Sequence, residues 1–147
     1  MTPEFMNAVV DTLLPGDRGV PPLPTGTAAG VAAKLEHLGA DRDRALRDAV
    51  LEAIASAARG EDAFARTDAA GRIAFVQLVE AEMPGPFRAL VALALRDYYE
   101  AEIVLLAMGW RAEPPQPEGH VLLPFDEALV APVKRRGRIW RSELFGV

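Results

Sequence analysis

Cysteine is absent from this 147-residue chain. Disulfides, iron–sulfur clusters and the C-x-x-C-H attachment of haem are excluded together. Histidine is nearly absent as well. With His37 and His120 as the whole supply, a zinc site would take most of its ligands from carboxylates, against the usual nitrogen and sulfur preference of that metal. The two serines, Ser56 and Ser142, lie in no G-x-S-x-G elbow, which speaks against a serine hydrolase. No G-x-G-x-x-G or G-x-x-x-x-G-K-[ST] loop occurs, so the common nucleotide cradles are missing. Gly16-Asp17-Arg18-Gly19 reads as a turn rather than a phosphate loop. Positive charge is also in deficit: 16 basic against 21 acidic side chains give a net charge of −5. Broad nucleic-acid binding draws on a basic surface that displaces counterions, and this balance argues against it.

Export and membrane signals are scarce. Met1-Thr2-Pro3-Glu4-Phe5 has neither a basic region nor a following apolar run, so no signal peptide is expected. The longest hydrophobic stretch, Phe87 to Met108, carries Arg88, Arg96, Asp97, Glu100 and Glu102. Charges at that density are costly at a bilayer centre, so the stretch reads as a core helix and no membrane span is expected. A chain without cysteine suits cytoplasm and periplasm alike, so the compartment stays open between cytoplasmic as the sequence stands and periplasmic if an export signal has been removed.

What the sequence does contain is alanine-rich amphipathic pattern. Half the residues are hydrophobic, enough for one core at this length. The expected fold class is all-α: a single domain of about five helices over residues 1–109, followed by a Pro-rich, mostly irregular C-terminal arm over 110–147. Thr2-Pro3-Glu4 starts the first helix with a hydroxyl cap, proline in the first turn and an acid at the positive end. Phe5, Met6, Val9, Val10 and Leu13 form its apolar face, and Pro15-Gly16 stops it, with Gly16 at positive φ. Prolines 21, 22 and 24 make the following loop an ordered one. The second helix spans about Thr27 to Leu38, and the third about Asp41 to Arg59, closed by Gly60. The third buries Leu46, Val50, Ile54 and Ala57, while Arg42, Asp43, Arg44, Arg47 and Asp48 form a solvated face. Thr67-Asp68 caps the fourth, which runs through Met83 and buries Ile73, Val76, Leu78 and Val79. Pro84-Gly85-Pro86 breaks the chain. The fifth helix continues to Gly109 with Phe87, Leu90, Val91, Ala94, Leu95, Tyr98, Ile103 and Leu105 inward.

After Gly109 the prolines at 114, 115, 117, 124 and 132 exclude long helices and inner strands. A turn of helix is expected near Asp126 to Val130. Trp110, Phe125, Trp140 and Phe145 have little core of their own in this segment, which suits an arm laid along a partner. The basic run Lys134 to Arg141 encloses Trp140. Such a run can dock in an acidic protein groove, with tryptophan and arginine as hot spots; stacking on single-stranded nucleic acid and a plain solvated tail are the alternatives. Trp110, Phe125, Arg138 and Trp140 are the candidate anchors. Of Tyr98 and Tyr99, one packs inward and the other lies at the helix edge, available to a partner.

Asp97 and Glu100, with Glu102 nearby, share a helix face that suits acid–base or metal chemistry. Arg96, four residues before Glu100, offers an ion pair as the structural reading. A stand-alone ligand-binding protein or small enzyme would draw on Asp97, Glu100, Tyr98 and His120. Nucleic-acid binding through residues 134–141 is a lesser alternative.

The order of these features resembles a known family. Val10-Asp11-Thr12-Leu13-Leu14-Pro15-Gly16-Asp17 is similar to the D-T-L-I-P-G-D opening of the gluconate 2-dehydrogenase subunit 3 family. The Phe87 to Tyr99 helix ending in a Tyr-Tyr pair, the Gly-aromatic step at Gly109-Trp110 and the proline-rich stretch after it match that family's second half. The resemblance implies a small accessory subunit without a catalytic, cofactor or metal site of its own. It would bind and mature a large FAD-dependent oxidoreductase of the glucose–methanol–choline type, which holds the FAD and oxidises a sugar, sugar acid or other alcohol. A multihaem cytochrome often takes the electrons. Two features depart from the pattern: the twin-arginine export signal of the family is missing, and Glu100-Ala101-Glu102-Ile103 stands where the family has small polar residues and a proline.

Overall fold

The computed structural model describes residues 1–110 and 124–136. Their regular structure is all-α, with no strand among the described residues. The chain falls into two compact units, Met1–Pro114 and Pro115–Val147. In the first, α1 spans Pro3–Leu13, α2 Val31–Glu36, α3 Asp41–Ala57, α4 Glu61–Arg66, α5 Ala69–Glu82, α6 Pro84–Tyr99 and α7 Glu102–Ala107. In the second, a 3₁₀ turn over Glu127–Val130 leads into α8, Ala131–Arg136.

The caps explain the long elements. Thr2 Oγ1 accepts the Phe5 N–H at 3.4 Å, and Asp68 Oδ1 accepts that of Gly71 at 2.8 Å. Each satisfies a donor that the first helical turn leaves without an internal partner. Between α5 and α6 only Met83 is non-helical (φ −135°, ψ 62°). The expected break over Pro84-Gly85-Pro86 is thus one residue long, and both prolines sit inside the first turn of α6, where a missing N–H removes no bond. Asp126 caps the 3₁₀ turn through the Ala128 N–H at 2.8 Å. The helix then continues beyond the single expected turn, because Pro132 again falls in a first turn.

Three further corrections concern helix ends. Residues 26–30 form turns rather than the start of α2; Gly30 at φ +77° delays the helix to Val31. The segment after Gly60, too short to show a periodicity, holds a separate helix, α4. The expected helix from Phe87 to Gly109 is two helices. Glu100 closes α6, and Ala101 is extended (φ −73°, ψ 128°) before α7 starts. Alanine and glutamate are good helix formers, so packing overrides propensity here: the redirected chain buries Ala101 and places Val104 fully in the core.

The core joins Phe5, Val9 and Val10 of α1, Val31 and Leu35 of α2, Val50, Leu51 and Ile54 of α3, Phe64 of α4, Val79 of α5, Leu90 and Ala94 of α6, and Val104 of α7. α6 packs on α2, α3, α5 and α7, and α3 packs on α4, α5 and α6. The supposed solvated face of α3 is partly employed in packing. The guanidinium of Arg47 donates to the carbonyls of Leu35 and Glu36, and that of Arg44 to the carbonyls of Leu38 and Gly39. The first two are terminal carbonyls that α2 leaves free, and the other two belong to the turn that follows it. Four residues expected inside are outside: Ile73, Leu78, Leu95 and Ile103 are exposed.

α3 ends in a Schellman motif: the Gly60 N–H bonds the Ala55 carbonyl at 2.7 Å and the Arg59 N–H that of Ser56 at 3.0 Å. The left-handed position is Arg59, at φ 63°, and not the glycine beside it. Arg59→Gly removes a Cβ penalty from a conformation that glycine adopts freely. The expected result is a gain of about 1 kcal/mol, read as a higher thermal midpoint; a lower midpoint would show that the arginine side chain matters more than the backbone.

Candidate functional site

The segment Val10 to Asp17 turns out to organise a loop. Asp11 Oδ1 accepts the Thr27 N–H at 2.8 Å, and the Thr27 hydroxyl donates to the Asn7 carbonyl at 3.3 Å. The Gly26 N–H bonds the Leu14 carbonyl at 2.8 Å. Gly16 takes φ +69°, and a Cβ there would stand 2.5 Å from the Leu23 carbonyl oxygen. Asp17 Oδ1 then accepts the N–H groups of Gly19 (3.0 Å) and Leu23 (2.8 Å), while its own N–H donates to the Leu23 carbonyl at 3.2 Å. The Leu23 and Gly19 N–H groups hold the Asp17 carboxyl below its ordinary range.

This loop meets the tyrosine pair. Tyr98 is 4% exposed and its hydroxyl donates to the Pro24 carbonyl at 2.7 Å. Tyr99 is 49% exposed, with its ring edge-on to that of Tyr98 at 5.4 Å. Burial raises the Tyr98 hydroxyl above its ordinary value, with smaller contributions from Tyr99 and the Asp17 carboxylate. The folded state therefore favours the neutral phenol. Its contribution to stability is complete below the unfolded value, near 10, and is lost as pH rises through the higher folded value. Tyr98→Phe is expected to lower stability by about 1 kcal/mol at neutral pH and to have a flatter decline than wild type above about pH 10. Thermal midpoints measured across that range check this; parallel curves would contradict it.

The carboxylates expected on one helix face are not assembled. Asp97 is 5% exposed and takes the Arg96 guanidinium at 3.1 Å through both Nε and Nη2. The ion pair is thus with the neighbouring residue and not with Glu100. Lys34 Nζ donates to the Asp97 backbone carbonyl at 3.3 Å. Glu100 is exposed at the end of α6, and Glu102 is exposed in α7. Among the described residues no three histidine or carboxylate side chains converge as metal ligands, and no helix is long and apolar enough to cross a membrane. A depression of about 240 Å³ is lined by Met1, Met6, Glu36, Arg47 and Asp48. A smaller one of about 90 Å³ lies among Asp11, Thr12, Pro15, Ala69, Arg72 and Ile73. Both are below the usual size of a small-molecule site.

The surface feature that needs explanation is apolar. Leu95 and Tyr99 on α6, Ile103 and Leu106 on α7, and Trp110 just beyond it are all exposed. The spacing of four puts Leu95 and Tyr99 on successive turns of α6, and the spacing of three puts Ile103 and Leu106 on successive turns of α7. Trp110 is fixed at the helix end by a second Schellman motif: its N–H bonds the Leu105 carbonyl at 2.8 Å, the Gly109 N–H bonds that of Leu106 at 3.0 Å, and Gly109 takes φ +76°. In the second unit Phe125, Leu129 and Val133 are exposed at four-residue intervals, followed by Lys134, Arg135 and Arg136.

Of the candidate contact residues, Tyr98 is thus internal, Tyr99 and Trp110 are on the surface of the first unit, and Phe125 is on that of the second. Arg138 and Trp140 lie outside the described residues, as does His120. Sequence reasoning missed Leu106, Leu129 and Val133. The four-residue spacing of Phe125, Leu129 and Val133 was the available signal. Compared with known protein families, curated proteins and solved structures, the chain matches none.

Proposed function

We propose that this chain is a non-catalytic small subunit that binds, stabilises and matures a large FAD-dependent alcohol or sugar oxidoreductase. The observation that carries the reading is the set of exposed apolar side chains Leu95 and Tyr99 on α6 and Ile103, Leu106 and Trp110 on and just beyond α7, apolar surface of the kind that marks a protein interface. The resemblance of the Val10 to Asp17 segment and the tyrosine pair to the small-subunit family supplies the kind of partner. FAD belongs to that partner, as does the substrate site.

In this reading the helical unit presents these side chains to the large subunit, and the arm beyond Gly109 adds further anchors. Phe125 before the 3₁₀ turn, Leu129 within it and Val133 in α8 offer exposed apolar side chains to such a partner. Trp110, Arg138 and Trp140 complete the set, with tryptophan and arginine favoured as hot spots. A segment of this length laid along a partner buries on the order of 1,000 Å² or more. A chain ending at Gly109 is therefore expected to keep its helical circular dichroism and lose complex formation. Equal binding by the shortened chain would contradict the part given to the arm.

A further inference from the structure

The Gly16–Thr25 loop is held at its base far more firmly than a connection between two helices requires. Asp17 ties down Gly19 and Leu23 through its carboxylate and bonds the Leu23 carbonyl through its own N–H. Tyr98 reaches across from α6 to the Pro24 carbonyl. Gly16 brings the Leu23 carbonyl within a distance that no side chain would allow. All of this supports a tip, Arg18 to Pro22, that is exposed at every residue, with Val20 wholly in solvent. A stiff, exposed loop loses little freedom on docking, which is how preorganisation raises affinity.

The chemistry of the tip narrows what it can meet. Pro21 and Pro22 have no N–H, and the N–H groups of Gly19 and Leu23 are already bonded to Asp17. Pairing with a strand edge is therefore disfavoured. The spacing Arg18-x-x-Pro21-x-x-Pro24 matches a polyproline ligand, but the Pro24 carbonyl is taken by Tyr98 and Leu23 packs against the core, so the segment is not free to lie in such a groove. What remains outward is a convex apolar knob, Val20 with Pro21 and Pro22, and one guanidinium, Arg18, without an ion pair among the described residues. A single arginine beside the Asp17 carboxylate is a poor match to a phosphate backbone or an anionic bilayer, both of which need clustered positive charge.

We infer that the Arg18–Pro22 tip seats in an apolar depression of the large partner subunit, with a carboxylate of that subunit at the rim to take Arg18. This rests on the function proposed above. The same partner is indicated because the base of the loop and the exposed apolar residues of α6 meet at the tyrosines: Tyr98 holds the Pro24 carbonyl, and the ring of Tyr99, edge-on to that of Tyr98, is exposed one turn after Leu95.

The test uses the full chain and the flavoprotein isolated with it. Val20 is fully exposed, so Val20→Asp leaves the thermal midpoint unchanged. It is expected to weaken binding about 30-fold, the loss typical of a central interface residue. Arg18→Glu is expected to weaken it about tenfold, and Glu52→Gln on the exposed side of α3 serves as a control. If wild type binds the flavoprotein and Val20→Asp binds within about twofold of it, the knob is overturned while the proposed function stands. If wild type binds no flavoprotein, the proposed function is overturned, and the knob's assignment to that partner with it.

Discussion

Alanine in place of Phe64 is expected to lower the unfolding free energy by about 3–5 kcal/mol. Phe64 is wholly buried in α4. Its ring lies edge-on to Phe5 of α1 at 5.4 Å and 80°, and tilted against Phe75 of α5 at 6.4 Å and 47°. A six-residue helix has no stability of its own in water, so α4 stays in place because this ring is clamped between its neighbours. Removing it leaves a cavity bordered by three helices and frees Glu61, whose carboxylate accepts the Thr2 N–H at 2.6 Å. A domain of this size has about 5–15 kcal/mol in total, so the variant sits close to unfolding. Urea titration with an unchanged slope and a much lower midpoint is the expected record. A loss of about 0.5 kcal/mol or less, the ordinary range for surface positions, would mean that Phe64 is not where the helices converge.

Gly16→Ala is expected to cost roughly 2–5 kcal/mol through two effects that act together. The residue holds φ +69°, where an L side chain costs about 1–2 kcal/mol. In addition, the new Cβ would stand 2.5 Å from the Leu23 carbonyl oxygen and 2.9 Å from the Pro24 carbonyl. Those are backbone atoms fixed by Asp17 and Tyr98, so the clash is relieved only by opening the loop, and overpacking of this sort costs about 1–3 kcal/mol. Gly30 provides the comparison: at φ +77° it has the same backbone strain but nothing within 4 Å of a Cβ. Gly30→Ala should therefore cost only that strain, about 1–2 kcal/mol, and thermal melts of the two variants side by side separate strain from collision. Equal losses would show that the loop base is not tightly packed.

Much of the framework is legible in the residues. Thr2, Pro3 and Asp68 mark helix starts, and Gly16 and Gly109 mark stops, because each residue type solves a backbone problem that is local. The apolar faces of α1 and α3 follow from the same regularity. Where the reading fails, the deciding contacts are distant in sequence. Glu100 and Ala101 carry no helix-breaking chemistry, and only the seat awaiting Val104 in the core turns the chain there. Arg44 and Arg47 look like solvent-facing charges until the end of α2 is laid beside them. Ile73, Leu78, Leu95 and Ile103 have the right spacing for a core, and spacing does not tell an inner face from an apolar face presented outward. The candidate surface is therefore the least legible part: Tyr99 and Trp110 stand out by type, Leu129 and Val133 only by their spacing from Phe125, and Leu106 becomes visible only with the fold.

The most direct test of the proposed function is isolation of the tagged chain from its native host, with protein identification and a visible absorption spectrum of what remains bound. A large flavoprotein retained in fixed ratio, with flavin bands that are absent from the chain alone, is the result predicted. A colourless chain that elutes alone, folded and without a retained partner, would contradict it.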